Sequence, residues 1–169
     1  YSASKAASEH VITAYAHSYF DSLGVASLRV GNIIGGGDWS KNRLLPDAVR
    51  CFSSSKPLTL RNPLSTRPWQ HVLDPLPGYL ALAKALSESG ISFAGGWNFA
   101  STYDDCQPVG QVAQMMARSW GESATVEVAE TSTVFEEKLL ALDSSRARAE
   151  LGWTPPWRMP KAIDALVAW

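Results

Sequence analysis

The hydrophobic pattern changes period early in the chain. Between residues 3 and 23, Val11, Ile12, Tyr15 and Tyr19 recur at helical spacing in an Ala-rich stretch, and Gly24 follows as a stop. The pattern predicts a helix over 3–23. Residues 25–30, Val-Ala-Ser-Leu-Arg-Val, then read as a short strand. A helix feeding a strand through one glycine is part of a βαβ unit, which implies a parallel sheet. The strand runs out at Gly31-Asn32. Ligands of open α/β sheets bind just beyond the carboxyl ends of strands. The loop from Asn32 to Asn42 is therefore a candidate site on topology alone.

Further along, residues 44–53 predict a helix with Pro46 in its first turn. Residues 58–60 and 69–73 predict short strands separated by a polar turn over 61–68. Asp74 is placed to cap a helix to about residue 87, with Pro75 at its first position. A strand is expected over 96–99, a helix over 108–119 ended by Gly121, and a strand over 124–128. Residues 139–142 read as extended. Asp143 or Ser144 then caps a helix stopped by Gly152, and residues 160–169 form a closing amphipathic helix after Pro155-Pro156. This alternation of strands and helices is an α/β pattern.

Composition narrows the function classes. The chain is 46% hydrophobic and 18% charged, which is enough apolar material for a packed core. Its 15 basic and 16 acidic residues leave a net charge of −1, against a nucleic-acid or membrane surface as main partner. No run of about 18 apolar residues offers a membrane span. Cys51 and Cys106 lack metal or redox spacing and read as a reduced, intracellular pair, which points to the cytoplasm. The seven tryptophans suggest a cleft, because a buried indole needs a partner for its N–H. Metal chemistry finds no ligand set: His10 and His17 have no carboxylate at ligand spacing, and His71 reads as a hydrogen-bonded structural histidine. No Ser or Cys stands in a nucleophile elbow.

Candidate chemistry is concentrated in two places. Tyr1 and Lys5 are four apart at the head of the first helix, so they share a face. A phenol with a pKa near ~10 is a poor base at neutral pH. A nearby ammonium lowers that pKa, so the two make a candidate proton-transfer pair. The second place is Gly35-Gly36-Gly37-Asp38-Trp39 in the loop after the first strand. It has neither the Walker nor the dinucleotide spacing, and its glycines by themselves mark a turn.

Several segments together carry a resemblance. They are Tyr1-x-x-x-Lys5 and Leu28-Arg29-Val30-Gly31-Asn32-Ile33-Ile34-Gly35, then Arg43-Leu44-Leu45-Pro46. Arg67-Pro68-Trp69-Gln70-His71-Val72-Leu73-Asp74, Trp97-Asn98-Phe99 and Leu151-Gly152-Trp153-Thr154-Pro155 follow in order. The chain resembles the extended short-chain dehydrogenase/reductase family, in its sugar-nucleotide-modifying branch, over nearly its whole length. Gly35-Gly36-Gly37-Asp38-Trp39 and Leu60-Arg61-Asn62-Pro63 look like the 4,6-dehydratases of that branch that act on CDP-glucose. The pattern departs at 135–138, where His-Glu-x-His is expected and Phe135-Glu136-Glu137-Lys138 stands.

The resemblance implies the C-terminal part of a doubly wound Rossmann fold with a small α/β substrate lobe. Residues 1–42 would be the last Rossmann elements. Residues 43–169 would be mainly the lobe, with segments returning to the core. It implies NAD as cofactor and a nucleotide sugar as substrate. Tyr1 would be the base at the 4-hydroxyl. Lys5 would lower its pKa and, with Tyr1, hold the nicotinamide ribose. Asn32 and Arg67 would bind the diphosphate, Arg43 would position the nucleotide, and Trp39 would line the cleft, with Arg61 and Asn62 near the base. The Gly-rich cofactor loop and the acid–base pair for water removal would lie upstream, in a longer chain that forms a homo-oligomer, with 3–23 a candidate interface. Two alternatives stay open: another epimerase, dehydratase or decarboxylase of this family, and a non-catalytic sugar-nucleotide-binding remnant, which the changes at Phe135 and Lys138 favour.

Overall fold

The computed structural model describes residues 2–130 and 137–169. Tyr1, Phe135 and Glu136 lie outside the described residues. The elements in chain order are α1 (Ser2–Tyr19), β1 (Ala26–Val30), β2 (Asn32–Ile34), α2 (Leu44–Ser53), β3 (Leu58–Leu60) and β4 (Thr66–His71). Next come α3 (Pro75–Ser89), β5 (Gly95–Phe99), β6 (Cys106–Pro108), α4 (Val109–Trp120), β7 (Val126–Val128), α5 (Ser145–Leu151) and α6 (Met159–Ala168). They fall into two compact units that the chain visits in turn.

The first unit comprises Tyr1–Val30, Pro75–Phe99 and Asp143–Thr154. Its strands β1 and β5 pair in parallel with Leu28 opposite Trp97, which fits the expected parallel sheet. Trp97, Phe99, Leu82, Ala147 and Trp153 form the core. Gly78 lets α3 lie directly on it, since a Cβ there would come within 2.4 Å of the Phe99 ring. The Trp97 indole donates to the Phe93 carbonyl at 2.8 Å, so its buried N–H is satisfied. The Arg146 guanidinium lies over the same ring, 3.9 Å from its centre. Helix α1 stands apart from this core: none of its described residues is buried, and Val11, Tyr15 and Tyr19 are exposed. It ends at Tyr19, four residues before the expected Leu23, because Asp21 and Ser22 interrupt the helical run.

The second unit comprises Gly31–Asp74, Ala100–Leu142 and Pro155–Trp169. Strand β4 is its spine. The second half of β4 pairs in parallel with β2 (Asn32 opposite Trp69), and its first half pairs antiparallel with β6 (Arg67 opposite Gln107). β3 pairs in parallel with β7. Helices α2, α4 and α6 each bury residues at helical spacing: Leu45, Ala48 and Phe52; Val112, Ala113 and Met116; Met159, Ile163 and Leu166. These close one core with Trp69 and Ile34.

One glycine in this unit fixes a close approach. A Cβ on Gly31 would lie 2.1 Å from the Pro68 carbonyl oxygen. That atom is backbone and cannot rotate away, so Gly31→Ala must push β2 from β4. We expect a loss of about 1–3 kcal/mol, the usual cost of overpacking. Urea denaturation of the two proteins checks it, and an unchanged midpoint would show that the strands give way freely.

Candidate active site

Lys5 stands on the second turn of α1, on an exposed stretch. Its partner Tyr1 lies outside the described residues, so their spacing rests on the sequence. One turn after Lys5, Glu9 accepts from the Ser27 hydroxyl at 2.7 Å and from Arg29 Nη2 at 2.9 Å on Oε2. Its Oε1 accepts from Arg29 Nε at 3.0 Å. The Arg29 bonds, then the Ser27 hydroxyl, hold the Glu9 carboxyl below the usual carboxylate range. Glu9 in turn pushes Arg29 up.

In the second unit, Asn32 opens β2 directly after β1 ends, at the strand end singled out by topology. Among the described residues its side-chain amide has no hydrogen-bond partner, so both its donors are open to a ligand. Arg67 lies on β4, two residues before the Trp69 that faces Asn32. It is half-buried and donates from Nη1 to the Thr66 carbonyl at 2.9 Å. The structure thus places Asn32 and Arg67 on adjacent strands of one sheet.

Arg43 sits at the far end of the triglycine loop. Its guanidinium is exposed and pairs with Asp38 Oδ2 at 3.2 Å. Asp38 Oδ1 also accepts from the Ser40 N–H at 2.9 Å, an Asx turn that closes the loop. That backbone bond is the main reason the Asp38 carboxyl is held low, with Arg43 adding to it. Arg50, one helix on, donates to the Trp39 and Ser40 carbonyls at 3.0 and 3.1 Å and pairs with Asp47. The loop is therefore fastened from both sides. Trp39 itself is exposed, as is Arg61.

The strand end after Asn32 is braced from below. His71 is buried, stacks on Trp157 with centroids 4.3 Å apart, and its Nδ1 accepts from the Leu73 N–H at 3.2 Å. Burial pushes His71 down, so the ring stays neutral, as the accepting Nδ1 requires. Asp74 is fully buried and accepts from the His71 N–H at 3.0 Å and the Trp157 N–H at 3.1 Å. Burial raises its pKa. Asp74 thus does more than the helix capping read from the sequence: it ties the end of β4 to the segment entering α6. Among the described residues no group of three His, Cys, Asp or Glu side chains is placed to hold a metal.

The NAD dependent epimerase/dehydratase family model matches residues 1–93, more than half of the chain. The chain belongs to that family. Along its full length it is 40% identical over 176 residues to a CDP-glucose 4,6-dehydratase of Salmonella typhimurium, covering 49% of that protein. It is 27% identical over 170 residues to a dTDP-glucose 4,6-dehydratase of Streptomyces griseus, again 49% of it. Among solved structures, a UDP-glucose 4-epimerase of Thermus thermophilus in complex with NAD superposes with a TM-score of 0.80. That match covers 99% of this chain and 52% of the epimerase at 25% identity. The chain spans about half the length of the curated relatives it matches. Its fold is the Rossmann-type α/β fold of NAD-dependent epimerases and dehydratases, as expected from the sequence.

Within this family's frame, the sequence named Lys5, Asn32, Arg43 and Arg67 but not the groups that hold their surroundings. Asp38 carried a readable signal, the Asp-x-Ser spacing of an Asx turn. Glu9 carried none, because it meets Ser27 and Arg29 across 18 and 20 residues, and the hold of Arg50 on the loop spans ten residues or more.

Proposed function

We propose that this chain is part of an NAD-dependent 4,6-dehydratase that converts CDP-glucose to CDP-4-keto-6-deoxyglucose. The observation that carries the reading is the 40% identity, along the whole chain, to a CDP-glucose 4,6-dehydratase. The open Asn32 amide at a strand end, next to Arg67 on β4, supports a phosphate-bearing ligand.

Lys5 suits NAD: it is exposed at the head of α1, and its three N–H donors match the hydroxyl oxygens of a ribose. When bound, NAD supplies the two-electron acceptor for C4 and returns those electrons at C6, so it ends unchanged. Tyr1 takes the proton of the 4-hydroxyl as general base. Lys5 keeps the phenol ionisable near neutral pH and orients the nicotinamide ribose. Asn32 donates to the diphosphate, and Arg67 clamps it with a planar fork. Arg43, held by Asp38 on the rim of the loop, presents its remaining donors to the nucleotide. The C5 proton and C6 hydroxyl leave as water, with help from groups outside this chain. We place the enzyme in the cytoplasm, and the exposed apolar face of α1 suits a second copy in a homo-oligomer.

The test uses the whole protein that carries this chain. Incubation with CDP-glucose, dTDP-glucose and UDP-glucose, followed by proton NMR, should show a 4-keto-6-deoxy product from CDP-glucose ahead of the others, with no net NADH. Inversion at C4 without loss of water would make it an epimerase. No turnover of any of the three would sink both readings.

A further inference from the structure

We propose that Glu9 is a positioning residue for the Tyr1–Lys5 pair, locking α1 onto β1 through Arg29. The inference rests on the acid–base role given to that pair above. No described side chain of α1 is buried, so apolar packing within its unit holds the helix only loosely. Glu9 fixes it by a polar strut. Three bonds of 2.7–3.0 Å reach its carboxylate from Ser27 and Arg29. Those two residues alternate on β1 and so share one face of the strand. The two bonds from Arg29 form a fork that fixes plane as well as distance.

The strut is rooted in the sheet. Arg29 Nη1 also reaches Asn98 Oδ1 at 3.4 Å on the paired strand β5, and Asn98 Nδ2 donates to the Asp143 carbonyl at 2.9 Å. Asn98 lies between Trp97 and Phe99, both fully buried. The helix is thereby referred to the best-packed part of its unit. Tyr1, Lys5 and Glu9 recur every four residues, so any slip of α1 carries the pair with it.

The pairing also manages charge. Glu9 follows Lys5 by one turn, within reach of its ammonium. Arg29 faces it from β1, and the neutral Asn98 on β5 meets Arg29 through its carbonyl oxygen. With both carboxylate oxygens taken by Arg29, Glu9 stays committed to the strand.

Four variants of the whole protein test this: Glu9→Gln, Arg29→Met, Arg29→Lys and Tyr1→Phe. Each is checked for folding by circular dichroism. Glu9→Gln and Arg29→Met should each lower kcat about tenfold or more while KM for the nucleotide sugar stays nearly constant, since an ångström of misplacement is that costly. Their pH profiles should separate. Arg29→Met frees a carboxylate beside Lys5, so the acid limb of kcat/KM moves up by about 0.5–1 unit, the size of one charge a helical turn away. Glu9→Gln leaves the Arg29 charge instead, and the limb stays or moves down. Arg29→Lys keeps the charge and loses the fork, so the rate falls with the limb in place, and this variant serves if the others do not fold. Wild-type kcat and an unmoved limb in the folded Glu9 and Arg29 variants would overturn the positioning role while Tyr1→Phe is still inactive. Full activity in Tyr1→Phe would overturn the acid–base reading, and the Glu9 proposal with it.

Discussion

Tyr1→Phe in the whole protein is expected to lower kcat by about 10²–10⁴, the usual worth of a general base. The substitution deletes one hydroxyl and keeps the ring, so binding should be little affected. KM for the nucleotide sugar should therefore stay within about twofold, the signature of an interaction made only in the transition state. Tyr1 and Lys5 stand four residues apart, the spacing of one helical face, and an ammonium is the group needed to bring a phenol within range of neutral pH. Single-turnover stopped flow at the nicotinamide absorbance isolates the step. Hydride transfer at the wild-type rate in the Phe variant would remove Tyr1 from the chemistry, and would leave Lys5 as a binding group only.

Periodicity made the helices legible. α2 begins and ends where the apolar spacing placed it, at Leu44 and Ser53, and α4 differs by one residue at each end. Gly121 and Gly152 stop their helices with positive φ, as glycines at those positions should. Short strands were less legible. β2 is only Asn32-Ile33-Ile34, and the triglycine run beside it made the whole segment read as loop. β4 starts at Thr66, three residues earlier than expected. Thr66-Arg67-Pro68 reads as a turn, yet this half of the strand pairs with β6, which has no alternation of its own. Pro68 brings no N–H, and a strand whose partner changes along its length tolerates that.

The site was legible to a different depth. Lys5, Asn32, Arg43 and Arg67 could be named because each sits in a motif or at a strand end. What surrounds them could not. Helix α1 is anchored through Glu9 by Arg29, twenty residues on, in the strand that follows it. Such pairs depend on which strand lies beside which helix. That is tertiary information, and no window of sequence contains it. The buried Asp74 is the same kind of case. Its place before Pro75 suggests a cap, while its bonds to the His71 and Trp157 amides appear only once α6 is folded against β4.

Arg67→Ala tests the substrate class, and its expected effect is on binding. Arg67 is half-buried on β4 beside the strand that Asn32 opens, where a guanidinium is partly shielded from water. Charge-assisted bonds in such a place are worth about 1.5–3 kcal/mol each. Losing the clamp should weaken CDP-glucose by roughly ten- to a hundredfold, since about 1.4 kcal/mol is tenfold. CDP should lose as much, and cytidine, which has no phosphate, far less. Arg67→Lys should recover only part of the loss, because an ammonium cannot span two phosphate oxygens as the fork does. Titration calorimetry of the whole protein with the three ligands separates the cases. If cytidine and CDP weaken equally, Arg67 serves the base pocket or the strand, and the diphosphate must be held elsewhere. Raised salt gives an independent check: it should weaken CDP binding to the wild type more than to Arg67→Ala, because screening acts on the charge pair that the variant has already lost.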